Sequence, residues 1–105
     1  MKTSPTQRSL AKLRAEGWTV AITERWNPFA KIRQDLFGFI DLLCIRDGAT
    51  LAVQTTVGGE VARRIAKIAE LPEAGLVRKA GWSIHVHGWR KLASGKWECR
   101  TVDIS

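Results

Sequence analysis

The sequence predicts a single α/β domain with a mixed central sheet flanked by helices, and three observations carry that expectation. Two neighbouring stretches, Gly38 to Ile45 and Thr50 to Val57, are apolar at both alternate positions, the mark of central strands covered on two faces. Helical patterns stand near the N-terminus and again after Gly58-Gly59, with alternating strands after each. A chain of 105 residues can bury one modest core but not two, so residues 1–105 form one domain.

Ser4-Pro5 reads as an N-cap followed by proline at the first helical position, opening a helix to about Glu16. Leu10 and Leu13 form its apolar face and Gly17 ends it. Trp18 to Trp26 alternates as a strand, with Trp18, Val20, Ile22, Glu24 and Trp26 on one parity. Asn27-Pro28 breaks it, and Phe29 to Gln34 reads as a basic loop. The two central strands follow, joined by a tight turn at Arg46-Asp47-Gly48. Glu60 begins a helix whose Val61, Ile65 and Ile68, with the small Ala62 and Ala69, pack inward, leaving Arg63, Arg64 and Lys67 outside. Pro72 stops it and starts a second helical segment, Glu73 to Ala80, closed by Gly81. Trp82 to Trp89 alternates as a strand, and Ser94-Gly95 turns the chain into a last strand, Trp97 to Ile104.

Seventeen Lys and Arg against ten acids give a net charge of +7, which favours an anionic partner, most simply nucleic acid bound through its phosphates. No block of five or six like charges occurs, so the positive potential arises from folding rather than from a charged tail. No apolar run reaches the roughly 18–20 residues of a membrane span. The first ten residues lack the apolar segment of a secretion signal, and Cys44 and Cys99 make no disulfide framework, so a cytoplasmic protein with reduced thiols is expected.

Asp41 is the residue with the most to explain. It lies among Phe39, Ile40, Leu42 and Leu43, where an unpartnered carboxylate is costly to bury. The returning strand carries Gln54-Thr55-Thr56, and Gln54 and Thr56, two apart, share one face. With Asp41 on the adjacent antiparallel strand, the three face one spot if the register allows.

This order of elements, with an acid on the second strand and a polar-x-polar triplet on the third, resembles the PD-(D/E)xK nuclease superfamily. The nearest likeness is to small Holliday-junction resolvase-like and phage-type members, over residues 8 to 90. The resemblance implies a restriction-endonuclease-like core (helix, three-strand meander, helix, strand) and a hydrolase that cuts branched or structured DNA with Mg2+ or Mn2+. By that resemblance Asp41 is the principal metal ligand. Gln54, a second ligand, stands where the family usually has an acid, and Thr56, a water or phosphate contact, where it usually has lysine. Glu24 and Asp35 are auxiliary acids, and Lys67 or Lys31 is positioned in sequence to replace the missing lysine. Related resolvases are dimers, so a homodimer is implied as well.

Cations and aromatics suited to DNA lie at Lys31 and Arg33, at Arg63, Arg64 and Lys67, and in Trp89-Arg90-Lys91. Other readings stay open at this level. Asp41 can be a structural acid satisfied by backbone amides or by Arg25 or Arg33; Glu24 can be an ion-pair partner and Asp35 a turn cap. Gln54 and Thr56 can be ordinary strand residues. His85-x-His87 with Cys44 and Cys99 is a nominal zinc set of unfamiliar spacing, against surface histidines beside a buried cysteine. The whole fold can serve as a catalytically impaired DNA-binding or phage accessory module, or as a basic interaction or virion component.

Overall fold

The structure, a computed structural model of the chain, describes residues 3–105. Its elements run α1 (Pro5–Ala15), β1 (Thr19–Ile22), β2 (Arg25–Asn27), β3 (Ile32–Gln34), β4 (Leu42–Arg46), β5 (Ala49–Val57), a 3₁₀ turn (Gly58–Glu60), α2 (Val61–Ala69), α3 (Pro72–Lys79), β6 (Ser83–Lys91) and β7 (Trp97–Asp103). The fold is α/β, as the sequence predicts, with a mixed five-stranded sheet in the order β1-β4-β5-β6-β7. Among the described strands only β5 and β6 pair in parallel, because the chain between them crosses over through α2 and α3. Among the described residues no helix is long and apolar enough to cross a membrane.

Helix α1 starts as its cap dictates, with the Ser4 hydroxyl accepting the Gln7 amide at 3.2 Å. It covers one face of the sheet: Leu10 and Leu13 pack on Leu42, Cys44, Leu51 and Val53. Helices α2 and α3 cover the other, where Val61, Ile68, Ala74 and Val77 meet Phe39, Ile40, Ala52, Ile84 and Val86. The β4–β5 turn is a two-residue hairpin at Asp47 and Gly48, both at positive φ (48° and 79°), as the strand twist requires.

Several boundaries differ from the sequence reading, each for a local reason. The stretch Trp18 to Trp26 is two strands, because the chain leaves the sheet after Ile22. The expected basic loop, Phe29 to Gln34, contains β3, which pairs with β2 in a separate two-stranded hairpin. The strand expected from Gly38 begins only at Leu42. Before it, Phe37 and Gly38 at φ 53° and 83° turn the chain so that the Gly38 amide reaches the Asp35 carbonyl and the Ile40 amide the Leu36 carbonyl. Ala62 and Ala69, expected inside, are exposed; Val61 and Ile68 supply the buried face of α2.

Gly88 fixes how closely α2 approaches the sheet. A β-carbon there would lie 2.2 Å from Val61 Cγ2 and 3.3 Å from the Gly58 Cα. The Gly88→Ala variant is therefore expected to lose about 1–3 kcal/mol, the usual cost of overpacking a close contact. Urea denaturation measures this; a midpoint equal to wild type would show that Val61 yields without cost.

Candidate functional site

Asp41 stands one residue before β4, where β4 parts from β5. Its amide still donates to the Val53 carbonyl at 2.9 Å. Two residues along β5, the Thr55 amide points to the same edge but has no facing strand residue. It donates instead to Asp41 Oδ2 at 2.8 Å. Gln54 Nε2 (2.6 Å) and the Thr55 hydroxyl (3.2 Å) donate to the same oxygen. The Thr55 hydroxyl in turn accepts from Thr6 on α1, at 2.8 Å. All of these donors converge on Oδ2, and the carboxylate has other company besides.

That company is acidic. Glu24, which precedes β2, and Asp35, which follows β3, each bring a carboxylate oxygen to Asp41, all within 4.8 Å of one another. Asp41 is 3% exposed, and burial is the largest cause pushing its carboxyl from the ordinary 3.8 up to about 8. The Thr55 amide opposes this rise, while a hydrogen bond with Asp35 and the charges of Asp35 and Glu24 add to it. The cluster floors a cleft of about 480 Å³ whose walls carry Gln54, Thr56, Arg64 and Lys67. A neighbouring lobe of about 850 Å³ shares Glu24, Arg33, Asp35 and Lys67 and extends along Arg25 and Phe37.

The residues singled out in the sequence are thus partly gathered. Asp41, Gln54, Thr56, Glu24 and Asp35 share one cleft. Gln54 turns its amide nitrogen to Asp41 and so orients the carboxylate; Glu24 and Asp35 make up the acid group with it. Arg33 pairs with Glu24 at 3.1 Å and Asp41 with Gln54 and Thr55, so the arginine partners considered for Asp41 are not the ones it takes. Of the helix cations, Arg64 and Lys67 line the cleft, whereas Arg63 pairs with Glu60 at 2.6 Å. Lys31 lines neither lobe. Trp89 donates its indole N–H to Ser9 at 2.8 Å, Arg90 pairs with Glu98 at 3.3 Å, and Lys91 is exposed at the end of β6.

The nominal zinc set does not assemble. Among the described residues, the one group of three or more acids, histidines or cysteines close enough to share an ion is the carboxylate cluster. Cys44 is buried in the α1-side core, and Cys99 lies 3.6 Å from the Thr101 hydroxyl. His87 is no surface residue: it is 1% exposed, and its Nδ1 lies 2.8 Å from the Ser9 hydroxyl. Burial lowers its pKa from 6.5 to about 4, helped by the charge of Lys12. Ser9 therefore hydrogen-bonds a neutral imidazole while accepting from Trp89.

Thr55, Thr6 and Ser9 were not legible as site residues. Thr55 falls on the opposite parity to Gln54 and Thr56, and its use of a backbone amide leaves no trace in side-chain pattern. No family model matches the chain, and no curated protein matches it.

Between pH 4 and 8 two shifted groups, His87 and Asp41, set the pH profile. His87 binds its proton in the unfolded chain below 6.5 but in the folded one only below about 4, so its contribution falls as pH drops through that window. Asp41 keeps its proton in the folded state up to about 8 and loses it near 3.8 when unfolded, so its contribution falls as pH rises. The two oppose between pH 4 and 6.5. Above 6.5 Asp41 acts alone, and about 2 kcal/mol is expected to be lost by pH 8 in chelator. Asp41→Asn should remove that loss and leave a stability that rises from pH 4 to 6.5. Urea melts across pH 4–9 test this; an identical decline in the variant would assign it to another group.

Proposed function

We propose that this protein is a metal-dependent endodeoxyribonuclease with a restriction-endonuclease-like core, acting on branched or otherwise structured DNA. The observation that carries the reading is the convergence of Glu24, Asp35 and Asp41 in an open cleft beside Lys67, in a protein of net charge +7. The order α1, β1, β4, β5, α2, β6 supports it, since Asp41 and the Gln54-x-Thr56 triplet fall side by side at the carboxyl end of the parallel pair.

The donor set suits a hard cation. Mg2+ and Mn2+ take oxygen ligands, and Mg2+ is commonly held by one or two carboxylates with water and substrate phosphate completing the shell. Burial, with Asp35 and Glu24 adding to it, holds Asp41 protonated at neutral pH, and a cation bound by Glu24, Asp35 and Asp41 would favour the charged carboxylate. Bound there, the ion would supply a Lewis acid for the phosphoryl oxygen and an acidified water. The chain's own residues do the rest. Gln54 and Thr55 clamp Asp41 through Oδ2, so that Oδ1 keeps its direction. Lys67 brings a positive charge from α2 to both lobes, where it stabilises charge developing on the phosphate. Arg64 anchors a flanking phosphate and the Thr56 hydroxyl hydrogen-bonds phosphate or water.

A second reading, a DNA-binding module of the same fold that does not cut, is favoured by one feature. Asp41 Oδ2 already accepts three donors, enough to explain the acid structurally. Plasmid or junction nicking with Mg2+ or Mn2+ separates the two. Cleavage is expected in wild type, absent in Asp41→Ala, and reduced about 100-fold or more in Lys67→Ala with binding little changed. Thermal melts should rise with Mn2+ in wild type and stay put in Asp41→Ala. No cleavage at any dose, with salt-sensitive DNA binding intact, establishes the second reading instead.

A further inference from the structure

We infer that the β2–β3 hairpin is a wedge that stacks on unpaired bases of the DNA held over the acidic cleft; this rests on the nucleic-acid reading above. The hairpin leaves the sheet after Ile22 and makes its own two-stranded ladder, Arg25↔Gln34, Trp26↔Arg33 and Asn27↔Ile32. Its root is the cluster itself, since Glu24 and Asp35 are the residues immediately outside its two strands. A strand of DNA with its phosphate at the acids therefore lies at the foot of the hairpin.

The hairpin is apolar where a solvent-facing loop would be polar. Phe29 at the tip is 96% exposed, Trp26 58% and Ile32 50%. Single exposed apolar residues are ordinary, but three on ten residues, two of them aromatic, form a patch that calls for a partner. Charge selects the partner. Arg25, Lys31 and Arg33 interleave with the apolar side chains, and among the described residues Arg25 and Lys31 enter no ion pair. Cations beside exposed aromatic faces are the chemistry of unpaired nucleotides, with phosphates on the cations and bases on the rings.

The tip is also pre-shaped. The Asn27 side-chain oxygen accepts the Phe29 and Ala30 amides at 3.0 and 3.1 Å, and Pro28 fixes the backbone between them. Lys31 adopts φ 54°, closing the loop onto β3. Little ordering is left to be done on binding, which favours insertion of a rigid aromatic.

The test is equilibrium binding in chelator to three labelled DNAs: an intact duplex, the same duplex with an unpaired 2-aminopurine, and a four-way junction. Wild type should prefer the two DNAs with unpaired or unstacked bases and quench the 2-aminopurine. Phe29→Ala, a change at an exposed position, should weaken those two roughly tenfold or more, restore the fluorescence, and leave the intact duplex and the salt dependence almost unchanged. Arg25→Ala and Lys31→Ala should instead weaken all three and lower the salt slope by about one each. Equal effects of Phe29→Ala on all three DNAs, or none, overturn the wedge. So does sedimentation showing a wild-type dimer that Phe29→Ala dissociates, which would assign the patch to a second copy of the chain. Because no metal is present, these outcomes stand apart from cleavage: a non-cutting protein can pass, and a cutting one can fail.

Discussion

The arrangement depends on one carboxylate at the point where two strands separate. Where β4 leaves β5, the Thr55 amide loses its ladder partner, and a buried amide left unsatisfied costs on the order of 1–3 kcal/mol. Asp41 supplies the missing acceptor through Oδ2. The same bond holds the carboxylate at the cleft, within reach of Glu24 and Asp35. Sheet termination and acid placement are therefore one event. The cost is electrostatic: burial first, and then the two neighbouring acids, raise the Asp41 carboxyl to about 8.

A polar rail ties the helical layer to that point. Thr6 and Ser9 are three apart on α1 and so share a face. They meet Thr55 and His87, which are register partners on β5 and β6. One helix spacing is thus matched to one pair of adjacent strands. Thr6 braces the hydroxyl that bonds Asp41, and Ser9 bridges His87 and Trp89, so the docking of α1 feeds directly into the orientation of the acid. On the opposite face, Gly88 lets Val61 sit against β6 and so sets how far α2 stands from the strands.

What could be read in advance follows the range of the interactions. The helix opened by Ser4-Pro5, the Asp47-Gly48 turn and the doubly apolar β5 are local patterns, and each lies where the sequence reading puts it. Asp41 was legible because an acid among apolar residues demands an account. The failures are non-local. Glu24 and Arg25 read as one strand with Trp18 because alternation continues past Ile22, although the backbone leaves the sheet there. His87 reads as a surface residue by composition, yet α1 buries it and Ser9 satisfies it. Asp35 reads equally as a turn cap, and its approach to Asp41 depends on the turn at Phe37-Gly38, whose positive φ at a phenylalanine no propensity would suggest.

The position of the cation shows why packing and chemistry cannot be separated here. At position 56 a lysine would have risen from a buried strand residue, its distance to Asp41 fixed by sheet register alone. This chain has Thr56 there, 5% exposed, and the lysine that lines the cleft, Lys67, stands on α2. A cation carried on α2 takes its distance from the acids through the helix docking, and that docking is set by the Gly88–Val61 contact. A change of a few tenths of an ångström in that contact moves Lys67 and Arg64 together, because i and i+3 on one helix face shift as a unit. The aromatic hairpin is rooted from the other side, in Glu24 and Asp35, so the acids form the fixed point between a cationic wall and an apolar tip. In such a geometry the cleft sets four acids, Glu24, Asp35, Asp41 and Glu60, against Arg33, Arg64 and Lys67, brought together from the β2–β3 hairpin, the start of β4 and the head of α2.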